Sequence, residues 1–351
     1  MRRFFRIVVA VLFISLVFDA EAQLNRKTIK KNNHKMATYR GRKTWFAKEK
    51  RYDMLGIGVS ALNYYGDLSP KPGIFSTDIS FTKPALSLFY SHRFGPRYAL
   101  TASFMYGALK GADKDSADPG DAENGAFRYT RNLSFRNRIK ELSVVASIDL
   151  FDNSMTYISR VNWTPYAFGG VAVFMHNPQA QAPATDLNGN PLPEAGQWVD
   201  LRDLGTEGQH SQLLDTDANH GIKPYKNIQV AIPMGIGARF KLNEVMDFSV
   251  EIGFRYLFTD YIDDVSRNYV DLGVFGGNEL AKAMSYRSGE VTPSSFTYVG
   301  RDGKSYNVVN GYGSEFPSNN RGSKNDKDIY MVTSFKLGYV LGKSMHRAKF
   351  R

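Results

Sequence analysis

Residues 247–258 read DFSVEIGFRYLF. Phe248, Val250, Ile252, Phe254, Tyr256 and Phe258 take every second position, and Asp247, Ser249, Glu251, Gly253 and Arg255 fall between them. Successive side chains of a strand point to opposite faces, so this stretch predicts a β-strand with one greasy flank and one polar flank. A soluble sandwich can hold one such strand with its charges in water. Here the alternation recurs. Seven further segments carry it, roughly Met54–Tyr65, Pro84–Phe94, Tyr98–Leu109, Ile139–Phe151, Thr164–Met175, Asn227–Leu242 and Asp328–Leu341. In Thr164–Met175 both registers are apolar, which leaves its facing open.

The connections differ in length. Residues 95–97 and 243–246 are tight turns and 152–163 is intermediate, whereas 66–83, 110–138, 176–226 and 259–327 are long. The long ones are rich in Gly, Pro, Asn and Asp, which is turn chemistry without periodicity. Short turns at one end and long loops at the other describe an up-and-down meander, the asymmetry of outer-membrane barrels. The predicted class is therefore all-β: an eight-stranded up-and-down transmembrane β-barrel with long extracellular loops. In hydrocarbon every backbone N–H and C=O must be paired within the protein, so such a sheet has to close. Eight strands enclose an interior that side chains can fill.

The ends of the chain read differently. Arg2, Arg3 and Arg6 precede a largely apolar run, Ile7 to Phe18, and Ala20-Glu21-Ala22 fits a small-x-small cleavage site. That run is too short for a membrane helix of ~20 residues, so residues 1–22 read as a secretory signal peptide. Residues 23–51 hold eleven Lys/Arg against one acid, Glu49, while residues 52–351 hold 31 charges of each sign. The net charge of +11 thus belongs to an N-terminal arm, not to a nucleic-acid-binding surface. Within this periplasmic arm Lys27, Lys30, Lys31, Arg40, Arg42 and Lys43 are candidate contacts to an acidic partner or lipid, the plainer reading being a solvated tail. The barrel is expected over 52–342, with a short tail at 343–351.

If the strands close in lipid, their polar flanks line the lumen. Arg93, Glu141, Asp149, Arg239, Lys241, Glu251, Arg255 and Lys336 form the expected lumen network, three acids facing five bases among small residues such as Ser143 and Gly253. A network of this kind leaves no wide pore. Tyr98, Tyr256, Phe258 and Tyr339, near strand ends, suit interfacial girdles.

Little points to catalysis. Cysteine is absent, which excludes disulfides, thiol nucleophiles and Cys-based zinc sites. The six histidines are scattered, and no HExxH, P-loop or GxSxG is present. DTDANHG (215–221) begins like a calcium loop, but its glycine is one place late. Asp260, Asp263, Asp264 and Asp271 could bind calcium, although pairing with Arg267 or capping a strand end is the plainer role. No cofactor, metal or catalytic residue is assigned. A lipid-modifying enzyme would need His92 or His176 to converge with Ser or Asp at a barrel rim.

Four stretches carry a resemblance: NYYGDL (63–68), RNLSFRNRIKELS (131–143), LRDLGTEGQ (201–209) and FTDYIDDVSRNYVD (258–271). In this order, between these strands, the chain resembles the PorG-like outer-membrane barrels of the Bacteroidota type IX secretion system. The resemblance implies a non-enzymatic structural component in the cell outer membrane. Its implied partners are a periplasmic ring of PorK-like lipoprotein and PorN-like protein. Such machinery exports cargo and, in gliding relatives, supports motility. The alternative is a surface adhesion or binding barrel that uses its long loops.

Overall fold

The computed structural model describes residue 46 and residues 50–68, 81–122, 124–324 and 327–341. The signal peptide 1–22, the six candidate arm residues Lys27, Lys30, Lys31, Arg40, Arg42 and Lys43, and the tail 343–351 lie outside the described residues. The described strands and helices belong to the unit that begins at Lys50.

Eight long strands follow the alternating segments: β1 Tyr52–Tyr65, β2 Lys83–Arg93, β3 Tyr98–Ala112, β4 Ser134–Asp149, β5 Trp163–Met175, β8 Ile228–Lys241, β9 Met246–Leu257 and β12 Ile329–Leu341. Each pairs antiparallel with its neighbour in sequence, and β1 pairs with β12 from Asp53↔Leu341 to Tyr65↔Ile329. The sheet closes on itself as an eight-stranded up-and-down barrel. Among the described residues no helix is long and apolar enough to cross a membrane.

The apolar flank faces outward on every strand. Leu86, Leu142, Val171 and Ile236 are 65%, 60%, 62% and 66% exposed, and comparable residues encircle the wall. Burying one such side chain is worth ~1.5–3 kcal/mol, and soluble monomers rarely expose apolar patches beyond a few hundred Å². A belt of this extent is built for a medium other than water. The open facing of β5 resolves here: its odd residues from Trp163 to Met175 point out, while Tyr166, Ala172 and Phe174 point in.

The turn end is tightly closed. Arg160, from the β4–β5 connection, donates to Asp247 and to the carbonyls of Asn243 and Met246, holding the β8–β9 turn. Tyr52, Met54, Phe89 and Val340 pack inside at this level, with Tyr157 against them.

The loop end departs from the expected boundaries. β3 runs on to Ala112 and β4 begins at Ser134, so this ribbon stands above the barrel. Lys110, Arg136 and Arg138 interrupt the apolar alternation there, which hid the extension. Two short strands, β6 (Pro178–Gln181) and β7 (Trp198–Asp200), add to its edge. Helices α1 (Asp113–Ser116), α2 (Gly125–Arg131), α3 (Leu201–Leu204) and α4 (Glu279–Ser285), and a hairpin of β10 (Phe296–Val299) with β11 (Ser305–Val308), complete a cap. The cap has its own core of Leu272, Tyr286, Tyr306, Val308 and Val309. Lys282, fully buried, pairs with Glu279 at 3.0 Å and lies over the Tyr306 ring. The long loops are thus a folded layer.

Candidate functional site: the sealed lumen and mouth

The lumen holds two layers. Toward the turn end, charged side chains from opposite walls meet. Arg93 and Arg239 share Asp149, Arg239 at 3.1 Å. Lys336 pairs with Glu251 at 2.5 Å, and Tyr166 donates to the same carboxylate at 2.7 Å. Nearer the loop end, level with Met105 and Phe174, Arg255 meets Glu141 at 3.2 Å, where Tyr330 also donates at 2.5 Å. Lys241 differs from the rest. It sits at the turn-end mouth and donates to the Ile158 carbonyl at 2.5 Å. Buried charges are tolerated only when paired in this way, since an unpaired one costs several kcal/mol or about 3–5 when its partner is removed.

Around the Arg255–Glu141 pair the loop end of the lumen is otherwise apolar, which the polar alternation alone does not predict. Leu62, Met105, Phe174, Leu257 and Val332 fill it and run into Leu68, Phe135, Ile262 and Val265 of the cap base. Ser103 and Ser143 bond across the wall between the two layers, at 2.7 Å. Leu62, Phe174 and Leu257 are fully buried at this level.

Above this plug the four stretches that carry the resemblance come together. Glu207 of LGTEGQ is fully buried. It accepts the Arg321 guanidinium at 3.0 Å, the Ser266 and Arg267 amides at 2.9 and 3.1 Å, and the Tyr261 hydroxyl at 3.2 Å. Gly205 and Gly208 both adopt positive φ, at 63° and 86°, a region that suits glycine and lets the chain turn Glu207 inward. Asp264, itself at φ 68°, accepts from Thr206 and, at 2.8 Å, from Tyr225, and lies 3.6 Å from Arg321. Arg131 binds Asp113 at 2.7 Å, and it reaches the carbonyls of Arg321 and Asp67 at 2.7 Å each. Asn137 donates to the Ile262 carbonyl at 2.7 Å.

The acidic cluster is therefore part of this knot. Its cation is not Arg267 but Arg321, 57 positions from Asp264, which no local pattern could single out. Asp271 accepts from Gly273 and Arg301 amides, both at 2.8 Å, and so caps a short 3₁₀ turn. The Tyr64 hydroxyl, with one proton, lies 2.6 Å from Asp263 and 2.8 Å from Asp328. One of those contacts therefore needs a proton on a carboxyl. Burial raises both acids above the ordinary carboxylate range, reinforced at Asp263 by the like charges of Asp328 and Asp67 and at Asp328 by that of Asp67. Burial likewise pushes Asp260 up to about 9, with Asp328 adding like charge, and Asp264 to about 6, with Arg321 opposing.

The remaining candidates do not form reactive sites. Asp217 of DTDANHG binds Arg301 through both oxygens, at 2.6 and 2.5 Å. Among the described residues no three acids or histidines converge as a metal site would require. His92 bonds Asp53 at 2.6 Å on the outer wall, but the hydroxyl beside them, Tyr90, donates to that same Asp53 oxygen rather than to the imidazole. His176 places Nε2 at 3.1 Å from the Lys226 carbonyl and stacks on Tyr225. Burial lowers its pKa to about 4, so at neutral pH it is uncharged and Nε2–H donates.

Residues 43–188 match the family model described as a domain of unknown function, DUF6089. The match covers less than half of the chain and includes β1 to β6. No curated protein matches the sequence. Among solved structures, Neisserial surface protein A is 7% identical, with 82% of this chain and 96% of that chain covered and a TM-score of 0.33. OprG of Pseudomonas aeruginosa is 9% identical, covering 84% and 98%, at 0.35. Ail, the attachment invasion locus protein of Yersinia pestis, is 8% identical, covering 83% and 97%, at 0.31. Likeness at these scores carries no weight here, and the barrel stands on its own strand register.

Proposed function

We propose that this protein is a non-enzymatic barrel of the bacterial outer membrane that anchors or organises a type IX protein-secretion assembly. The observation that carries the reading is the lumen, filled by ion pairs and, toward the loop end, by an apolar plug, behind a largely apolar outer wall. A closed cylinder of this kind serves as a fixed point rather than a conduit. The resemblance of four stretches to PorG-like barrels supports the finer assignment, and those stretches build one knot at the mouth. The turn end, where β1 begins and β12 finishes, would face the periplasm. The arm 23–51 leads into β1, so its Lys27, Lys30, Lys31, Arg40, Arg42 and Lys43 would meet the PorK-like and PorN-like ring there through acidic surfaces.

Affinity purification from mild-detergent membranes tests this reading. Ring proteins should co-purify, and deletion of the gene should stop export of type IX cargo. Unchanged export together with no co-purifying ring would end it. Neutralising the six arm residues should lower ring recovery while the barrel still folds.

The folded cap favours a second reading, surface binding. Leu214, Val299 and Phe316 are exposed on it at 57%, 68% and 51%. That reading expects cap-trimmed variants to lose surface binding while secretion persists.

A further inference from the structure

The outward face of the β3–β4 ribbon changes character where the barrel ends. As far as Tyr106, Leu142 and Met175 it is apolar and exposed. Lys140 lies directly opposite both Tyr106 and Met175. By alternation Arg138 and Arg136 follow on the same face, Arg138 opposite Ala108 and Arg136 opposite Lys110. Four cations thus form a stripe immediately above the greasy belt. Lys140 and Arg138 are exposed, and Arg136 and Lys110 are half-buried. Arg136 lies over the Trp198 ring at 3.7 Å, and that ring is 40% exposed. Lys110 lies 3.9 Å from Asp115, itself well exposed, and Arg136 donates to the Gln179 side-chain oxygen at 3.1 Å.

Position singles out the chemistry. A strand advances ~3.3 Å per residue, and a tilt of ~35–45° reduces this to about 2.5 Å along the membrane normal. Lys140 then sits about 5 Å beyond Leu142, and Arg138 about 10 Å beyond. The headgroup zone on each side of the hydrocarbon is ~5–7 Å thick, and long cationic side chains reach several ångströms further along it. Tryptophan beside such a stripe also prefers this level. A rim bathed in water has no reason to concentrate one sign of charge against the last apolar row. A layer of phosphates does.

We propose that Lys110, Arg136, Arg138 and Lys140 bind the phosphate groups of the lipids that surround the loop end of the barrel. The proposal rests on the membrane reading above. The stripe fixes the depth of the barrel, and the Arg136–Trp198 stack holds the ribbon at the interface. The ligand is the phosphorylated lipid surface, not free phosphate.

The test refolds the full chain from urea into vesicles of phosphatidylcholine, and into vesicles of phosphatidylcholine and phosphatidylglycerol in equal parts. Wild type should gain in folded-to-unfolded ratio with the anionic lipid. The double variant Arg138→Gln, Lys140→Gln should lose that gain by about fivefold for each charge removed. A Lys304→Gln variant should keep the difference, because its charge lies on the β10–β11 turn and not on the ribbon. Inorganic phosphate added to phosphatidylcholine vesicles should produce no gain. If the double variant responds to anionic lipid as wild type does, or free phosphate reproduces the gain, the stripe is overturned while the barrel stands. If neither protein folds in any vesicle, the membrane reading fails and the stripe with it.

Discussion

β9 and the loop that follows it are continuous in sequence and opposite in construction. Through Leu257 the strand shows grease to the outside and keeps Glu251 and Arg255 within. From Thr259 the sense inverts: Ile262, Val265, Tyr269 and Leu272 go fully inside. The change falls at Phe258, which is 55% exposed at the strand end. One chain is thus suited to two solvents, and the boundary is one residue wide. Polar groups are not simply in or out. In the barrel they pair across a lumen, and in the cap they pair in a knot beneath a water-facing surface.

If the two regions are separate in energy, removing the knot should loosen one and spare the other. Glu207→Ala takes from buried Arg321 its nearer carboxylate, leaving Asp264 at 3.6 Å, and strips two backbone amides of their acceptor. The cost should be about 3–5 kcal/mol, the figure for breaking a buried ion pair. Limited trypsin digestion should open the cap, while the gel-mobility difference between heated and unheated barrel persists. A cap as resistant as wild type would show that the knot is dispensable.

The reciprocal change is Ile252→Arg, on the outer wall of β9. A cation on the lipid face near the midplane costs ~2–4 kcal/mol, so urea titration in vesicles should shift by that amount with cap digestion unchanged. Stability equal to wild type would mean the face does not meet lipid. Tyr64→Phe sits between the regions. It removes the hydroxyl shared by Asp263 and Asp328 and should cost about 1–3 kcal/mol, weakening both transitions together. If only one transition moves, the regions are less coupled at this seam than its hydrogen bonds indicate.

The smallest effect is that of pH on the cap. Asp260 and Asp264 have folded pKa values above their unfolded ones, so the folded state holds more protons between the two. Their contribution is fully present below the ordinary carboxylate pKa and is lost as pH rises, through about 6 for Asp264 and about 9 for Asp260. His176 acts in the other direction. Its folded pKa of about 4 lies below the ordinary 6.5, so stability is lost as pH falls through that interval. Asp264 and His176 therefore oppose each other below pH 6, and above it Asp260 acts together with the raised carboxyls of Asp263 and Asp328. Cap digestion, scaled to an unfolded substrate at each pH, should quicken from pH 6 to pH 9. Asp260→Asn should remove part of that rise, and an unchanged rise would assign it to Asp263 and Asp328 instead.

The barrel was legible because its information is local. Alternation along each strand names the strand and its outward face, as Phe248 to Phe258 illustrate. The apolar half of the lumen was not legible, since Leu62 or Phe174 reads the same whether it points at lipid or at a plug. The cap was hidden for a different reason. Its decisive contacts, Arg131 with the Arg321 carbonyl and Glu207 with Arg321, join positions 190 and 114 residues apart. The upper β3–β4 ribbon escaped because its outward residues are cations, which break the pattern used to find strands.

The closing seam has a consequence for biogenesis. Asp53 pairs with Leu341, so the first barrel strand finds its final neighbour only when the last has been delivered. Until then the growing sheet has two raw edges, each a template for unwanted pairing. The polypeptide must be escorted unpaired across the whole span between them, and cylinder formation is a single late event. A mutation that weakens the β1–β12 seam should therefore appear first as a failure of insertion, before any loss of function in the finished molecule.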